Sequence, residues 1–600
     1  MALLNESSRS WGPHQAHDIL LRMSTRDVDD EWGFFVTAIC TVLVASMVSM
    51  FYWVLWKPYS KRKFYEKQCI RGPVFRPFIG NLPEIQDLRR GVPQLGGQIS
   101  ESPARRVATE LFVFSEKYGK VSVFEQGSMT RMILADAKLA KDVLLSKAGY
   151  YKRSVLTTEV VSAIAGHGSI LTAEGGNWKQ KNQIMSPAFR HTFLKASWNP
   201  LDGLFHQIVE RGDDLVTKWQ KAINNAADTK QGAEVAVDLD VPETLLDIII
   251  RTTFGSTSGI EGGDIYAVHE AVNFMTRVLG NRLSGYARLI PGFRFFPTPT
   301  NIKFCMKKRA MVNVLKNIVS ARMKLANDLK ASSIAKAGSR QGAYGGDVLG
   351  MMLEAMNEGN SNMTASQVLD ECTVFFLATD SPTSLLLMWS LMLLAQNPDW
   401  QQRARSEVQE VLGAEATPQV DKLANLKLID MVLNETLRLY PPVPAITRDA
   451  SKVHQLGSVT IAPGTNVIIP MSVLHQSKEI WGDDAHLFKP DRWEVKNLHT
   501  NGKNSADGLN DATAATAAAA DSVNSFNNFM PFGGGNRICL GRNLARMTVK
   551  LLLAMLLRRF SFSVSPSYCH APGRGGNNLW PKFGMQLLIK NVESEVTTTD

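Results

Sequence analysis

One thirteen-residue segment, PFGGGNRICLGRN from Pro531 to Asn543, constrains this chain more than any other. Its glycines allow the backbone to lie close against a flat group, because glycine carries no Cβ. Cys539 becomes a soft anionic ligand on losing its proton, and Arg537 is suited to a carboxylate, which it grips with two parallel N–H bonds. A dinucleotide loop is the competing reading of so many glycines. After Gly533 and Gly535, however, the third position of GxGxxG is Ile538. The blander alternative is that Cys539 is a small buried apolar residue, as most single cysteines are. An apolar run, NLARMTVKLLLAMLL, follows directly and reads as a helix behind the segment.

The order Phe532, Gly535, Arg537, Cys539, Gly541 matches the FxxGxRxCxG signature of the cytochrome P-450 superfamily. Five fixed positions arise by chance on the order of once in several thousand chains of this length. The chain resembles that superfamily from about Ile70 onward. The resemblance implies that Cys539 ligates the iron of haem b (iron protoporphyrin IX) and that Phe532 packs near the sulfur. A thiolate ligand pushes electron density onto the iron and promotes O–O cleavage. Upstream, Glu435 and Arg438 in LNETLRLYPP form an ExxR pair, which a helix places on one face. Alone this is weak, since most such pairs are solvated. It precedes FKPDRW, similar to the family's FxPERF element, so the resemblance implies a buried Glu435–Arg438–Arg492 network that is structural. Arg448 matches a family contact to a haem propionate. Trp178 resembles the tryptophan of the family's WxxxR helix, another propionate contact, although Asn182 stands where the arginine belongs. Lys181 or Lys179 is the candidate replacement charge, and a plain core tryptophan is the alternative for Trp178. Segments such as RTTFGS, NPDWQQRARSEV and SPSYCHAP are similar to the plant clan of brassinosteroid-, cytokinin-, gibberellin- and triterpenoid-modifying members.

One motif breaks the pattern. The family's central helix carries A-G-x-[D/E]-T-[T/S], whose acid and alcohol hold a water chain for proton delivery. Here the run is Ala378, Thr379, Asp380, Ser381, Pro382, Thr383, which in ungapped register puts Ser381 at the acid and Pro382 at the alcohol. Proline also removes a helix bond, at ~3 kcal/mol if nothing compensates. Either a π-bulge shifts the register so that Asp380 and Ser381 act, or Thr383 or water supplies the protons, or the relay is lost. Asp380, Ser381 and Thr383 are therefore the candidate catalytic residues.

The run GFFVTAICTVLVASMVSMFYWVLW, Gly33 to Trp56, carries no charge and is long enough to span a bilayer. Its aromatic end and the following Lys57, Lys61, Arg62, Lys63 and Lys67 place the remainder on the cytosolic side. A buried soluble helix is the competing reading. The apolar stretch from Gln367 to Gln396 raises a second-span alternative, but Asp380 and Pro382 near its middle favour an internal helix. A net charge of +10 over 600 residues is mild and does not single out nucleic acid, and six cysteines without a CxxC pair argue against a disulfide scaffold or zinc cluster.

The expected architecture is mainly α with small β-sheets: the cytochrome P-450 fold, a single large haem domain behind an N-terminal transmembrane helix. Its expected parts are a lumenal tail (1–32), the anchor (33–56), a basic Pro/Gly connector (57–75) and the catalytic domain (76–600), with surface inserts near 330–346 and 497–528. The expected function is hydroxylation of a lipophilic small molecule, a plant hormone, terpenoid or steroid-like compound, with O2 and electrons from an NADPH-dependent cytochrome reductase. The expected partners are that reductase, the substrate and the membrane, with no nucleic acid, at the endoplasmic reticulum as a single-pass protein. An oxygen-independent isomerase or dehydratase and a non-catalytic haem sensor are the alternatives.

Overall fold

The computed structural model describes residues 35–91, 103–189, 204–226, 232–255, 262–284, 296–331, 344, 347–357, 363–413, 420–494, 528–575 and 578–592. The 1–32 tail lies outside the described residues, as do nearly all of the 497–528 insert and most of the 330–346 insert.

Helix α1, Phe35–Glu66, is long and apolar enough to cross a membrane, and none of its most apolar stretch is buried. A π turn, Tyr52–Trp56, sits within it. The helix does not stop where the apolar run ends. Lys57 to Glu66 continue it, and Arg62 and Tyr65 are buried. The Arg62 guanidinium donates to the carbonyls of Val123 and Pro73, each at 2.8 Å, and the Tyr65 hydroxyl lies 2.6 Å from that of Thr465. The first half of the expected connector is thus a helical strut fixed to the domain. The Pro/Gly stretch after it is irregular only to Asn81, and its last residues open helix α2, Leu82–Arg90.

Five strands form the main sheet: β1 (Val121–Gln126), β2 (Met129–Leu134), β3 (Tyr151–Arg153), β4 (Ile446–Ala450) and β5 (Asn466–Ile469), in the order β1-β2-β5-β4-β3. β2 and β5 are parallel and the other neighbours antiparallel, with Arg153 opposite Arg448. A separate hairpin pairs His454–Leu456 with Val459–Ile461. Helix α3, Gly175–Met185, carries Trp178.

Helix α4, Ala365–Gln396, is the central element. The Thr364 side chain caps its N-terminus while Gln367 reaches back to the Thr364 N–H, a capping box that satisfies two otherwise orphaned donors. The most apolar stretch of α4 is 81% buried, so it is an internal helix and not a second span. Its first half, with Val368, Cys372 and Phe376, belongs to one core, and its second half, Leu385 to Ala395, to another. Helix α5 is Lys427–Leu439 and helix α6 is Arg542–Arg559. Every residue of α6 from Thr548 to Leu557 is buried, which explains an apolar run without a polar face. Each fully buried leucine there contributes ~1.5–3 kcal/mol.

Candidate functional site

Short hydrogen bonds shape the loop ahead of α6. Gly533 N–H donates to the Met530 carbonyl at 3.0 Å and Cys539 N–H to the Phe532 carbonyl at 3.0 Å, around a 3₁₀ turn at Gly535–Arg537. Gly535 has φ +66°, and a Cβ there would lie 2.0 Å from the Leu144 carbonyl oxygen. Only glycine fits. Cys539 follows this turn and lies three residues ahead of Arg542, the first residue of α6. Burial raises its thiol pKa, while the N–H groups of Gly541 and Arg542 and the Arg542 charge act in the opposite direction. By surface area the residue is nevertheless exposed. The two observations agree for a sulfur crowded by protein on its loop side and open on the other. A cation on the open side is what such a thiol needs to ionise.

Beside this loop stand three guanidinium groups, those of Arg153, Arg448 and Arg537. Burial and the neighbouring arginines push the pKa of Arg153 down to about 9, and those of Arg448 and Arg537 fall mainly through burial. Among the described residues, Glu174 is the acid acting on all three. It lies 2.7 Å from Arg537 and accepts the backbone N–H of Arg153 at 2.8 Å. Arg153 Nε is buried without a hydrogen-bond partner. The Arg537 guanidinium also covers the Trp178 ring at 4.5 Å and donates to the Ala173 carbonyl at 2.8 Å. So many mutually repelling cations around one acid form a place for further carboxylates. Two propionates fit it, and an ionised Cys539 nearby fits the iron. Haem suits these residues.

The structure thus brings together Cys539, Phe532, Arg537, Arg448 and Trp178, all within or beside one set of contacts. The two lysines named as replacements for the missing arginine lie apart from this cluster or in solvent. Lys181 is buried and points its Nζ at Glu371 of α4, 3.0 Å away, and Lys179 is exposed. A buried lysine of this kind is committed to its acid. Arg153 stands beside Arg448 and Arg537 as a third cation, and the sequence offers little to mark it, since YKRS resembles any polar strand end. Glu371 and Asp370 had a better signal: two adjacent acids entering an apolar helix. Their carboxylates accept the N–H groups of Ile170 at 3.0 Å and Gly168 at 2.8 Å, tying α4 to the loop before α3.

The Glu435–Arg438 pair is fully buried. Arg438 bonds Glu435 at 2.7 and 2.8 Å and the carbonyls of His475, Ala485 and Leu487. Glu435 also accepts from Trp493 Nε1 at 3.0 Å and Lys489 N–H at 2.9 Å, with Arg492 Nε 3.4 Å away. Every donor and acceptor of the pair is occupied, as a buried ion pair requires.

Helix α4 runs as α-helix through Pro382, with no π turn at the expected register shift. The backbone tolerates the proline within an otherwise continuous helix, so no extra residue is accommodated. Ser381 and Thr383 are both buried, and the side chain of Asp380 lies outside the described residues. Two positions apart means ~200° around a helix, so Ser381 and Thr383 face different sides. On the segment after α5, Val443, Ala445 and Ile446 are partly exposed while Pro444 is buried, and Ile446 lies against Gly533. On α6, Arg546 is drawn inward to Asn434 at 2.6 Å and Asp430 at 3.4 Å, whereas Arg542 donates to the Cys539 carbonyl at 3.4 Å.

The model of the family described as Cytochrome P450 matches residues 90–575. Cytokinin hydroxylase of Arabidopsis thaliana is 32% identical, covering 93% of this chain and 98% of the relative. Secologanin synthase 1 of Catharanthus roseus is 31% identical over 90% of this chain and 94% of its own length. Cytochrome P450 72A397 of Kalopanax septemlobus is 32% identical with the same coverage. A cysteine loop backed by α6, a saturated Glu–Arg pair and full-length relatives of one kind converge: the chain belongs to the cytochrome P450 family, haem b monooxygenases with a cysteine thiolate ligand.

Proposed function

We propose that Cys539 is the thiolate ligand and that the protein hydroxylates a lipophilic small molecule of the plant hormone, terpenoid or steroid-like class. The carrying observation is the placement of Cys539 at the head of α6, open on one side and beside three guanidinium groups with one shared acid. Bound haem supplies the activation of O2, which protein side chains cannot. The chain's own part is to hold and orient. Arg153, Arg448 and Arg537 take the two propionates, Trp178 backs Arg537, and Val443, Ala445 and Ile446 give the substrate an apolar wall. The printed names of the relatives, a hydroxylase of cytokinins and a synthase of secologanin, support a substrate of this general class. Electrons come from an NADPH-dependent reductase docking near Arg542. The anchor α1 holds the domain at the cytosolic face of the endoplasmic reticulum.

Ser381 and Thr383, with Asp380, remain the candidates for moving protons. Positioned proton transfer contributes ~10²–10⁴-fold, so its loss is measurable as peroxide released per NADPH consumed. Ser381→Ala or Thr383→Ala, whichever faces the oxygen, is expected to raise that leakage, and one of the two is expected to be nearly silent. A second reading rests on Pro382: with no hydroxyl at that position, the helix also suits an isomerase or dehydratase that needs no O2. The test is a screen of the purified protein with reductase against hormones and terpenoids. Substrate-induced spin-state shifts followed by NADPH-dependent product support hydroxylation. Turnover of hydroperoxides without reductase supports the second reading.

A further inference from the structure

One side chain bridges the buried Glu435–Arg438 pair and the cysteine loop. Arg438 Nη1 donates to the His475 carbonyl at 2.9 Å, fixing the backbone of that residue. The His475 ring is fully buried, and its Nε2 accepts the Met530 N–H at 3.2 Å. From Met530 the bonds continue. Its carbonyl accepts Gly533 N–H, and the Phe532 carbonyl accepts Cys539 N–H. The same ring lies 5.2 Å from that of Phe529, which itself packs 4.5 Å from Trp493, the indole bonded to Glu435.

His475 is kept in the accepting form. Burial and the Arg438 charge push its pKa down to about 3, so the ring is neutral, and the Met530 N–H donating to Nε2 selects the tautomer with the proton on Nδ1. A neutral acceptor is what a backbone N–H at the start of a tight loop requires, since a buried donor without a partner is costly.

We propose that His475 is a positioning residue: it joins the Glu435–Arg438 network to the cysteine loop through the Met530 N–H and thereby holds the register in which Cys539 reaches the iron. This rests on Cys539 being the ligand. Resemblance to the family singled out Cys539 and Glu435 but gave no role to His475, and a structural role alone would leave the ligation spectrum untouched.

The test uses the full-length haem protein and two variants. In His475→Gln the side-chain oxygen reaches about as far as Nε2 and restores the acceptor, whereas in His475→Asn it reaches only the Nδ1 position. Reduced carbon-monoxide complexes are followed over time for conversion from the thiolate band to the band of lost thiolate ligation. His475→Asn is expected to convert about tenfold faster, the scale set by one unsatisfied buried N–H. His475→Gln is expected to convert at the rate of the unaltered protein. Equal rates for all three proteins overturn the proposal, as does a glutamine variant as labile as the asparagine one. Should neither variant retain haem, hydrogen exchange in the unaltered protein decides: a Met530 amide exchanging as fast as an exposed one overturns the bridge, and a protected one upholds it. Absence of the thiolate band from the unaltered protein is a different result, one that rejects Cys539 as ligand.

Discussion

Single side chains set the shape and the charge of this site: a Cβ on Gly535 would meet the Leu144 carbonyl, and Arg153, Arg448 and Arg537 share one acid, Glu174. Cys539, Arg537 and Gly535 stand in a run too unusual to arise often by chance, and the structure gives each a physical reason, down to the Leu144 carbonyl that excludes a Cβ from Gly535. Glu435 and Arg438 were legible through spacing, but their saturation by Trp493, Lys489 and three carbonyls was not, because those partners lie far along the chain. Arg153 was not legible at all. It becomes notable only when β3 pairs with β4 and sets it opposite Arg448. Arg153→Leu is expected to weaken haem retention by roughly tenfold or more, the worth of one charge-assisted bond to a carboxylate. Transfer of haem to an acceptor protein measures this. Unchanged transfer would remove Arg153 from the propionate site.

Among elements, α1, α4 and α6 were readable from their apolar runs, and α4 ends at the residue where the pattern ends. The join between α1 and the sheet was not readable, because a basic flank after an apolar run looks solvated. Its interior holds an oddity. Glu125 of β1 is fully buried with neither carboxylate oxygen hydrogen-bonded, 3.7 Å from Arg62. Burial dominates and raises its pKa from 4.5 to about 7, with the Arg62 charge only partly offsetting it. The folded protein therefore holds this proton more tightly than the unfolded chain. The stability this represents is whole below pH 4.5 and is lost as pH rises through about 7. Glu125→Gln keeps the shape without the charge. It is expected to stabilise the fold at pH 8, by at most ~3 kcal/mol, and to make little difference at pH 4.5. Melting curves at the two pH values check this. Equal effects at both would mean that Glu125 carries no such shift.

In the molecule as a whole, a helical strut joins an apolar helix to the sheet of the haem domain. Deleting residues 1–56 is expected to release the protein from membranes while leaving a domain that binds haem, because Arg62 and Tyr65, which fix the strut, are retained. Membrane flotation of the truncated protein, against the full chain, reads this directly. A truncated protein that still floats would place a second attachment on the domain itself. The central claim, that this domain holds haem through Cys539, is tested most directly by the spectrum of the reduced carbon-monoxide complex. The unaltered protein is expected to show the strongly red-shifted Soret band of thiolate ligation, and Cys539→His to lose it even where haem stays bound. A thiolate band that survives in Cys539→His would contradict the account.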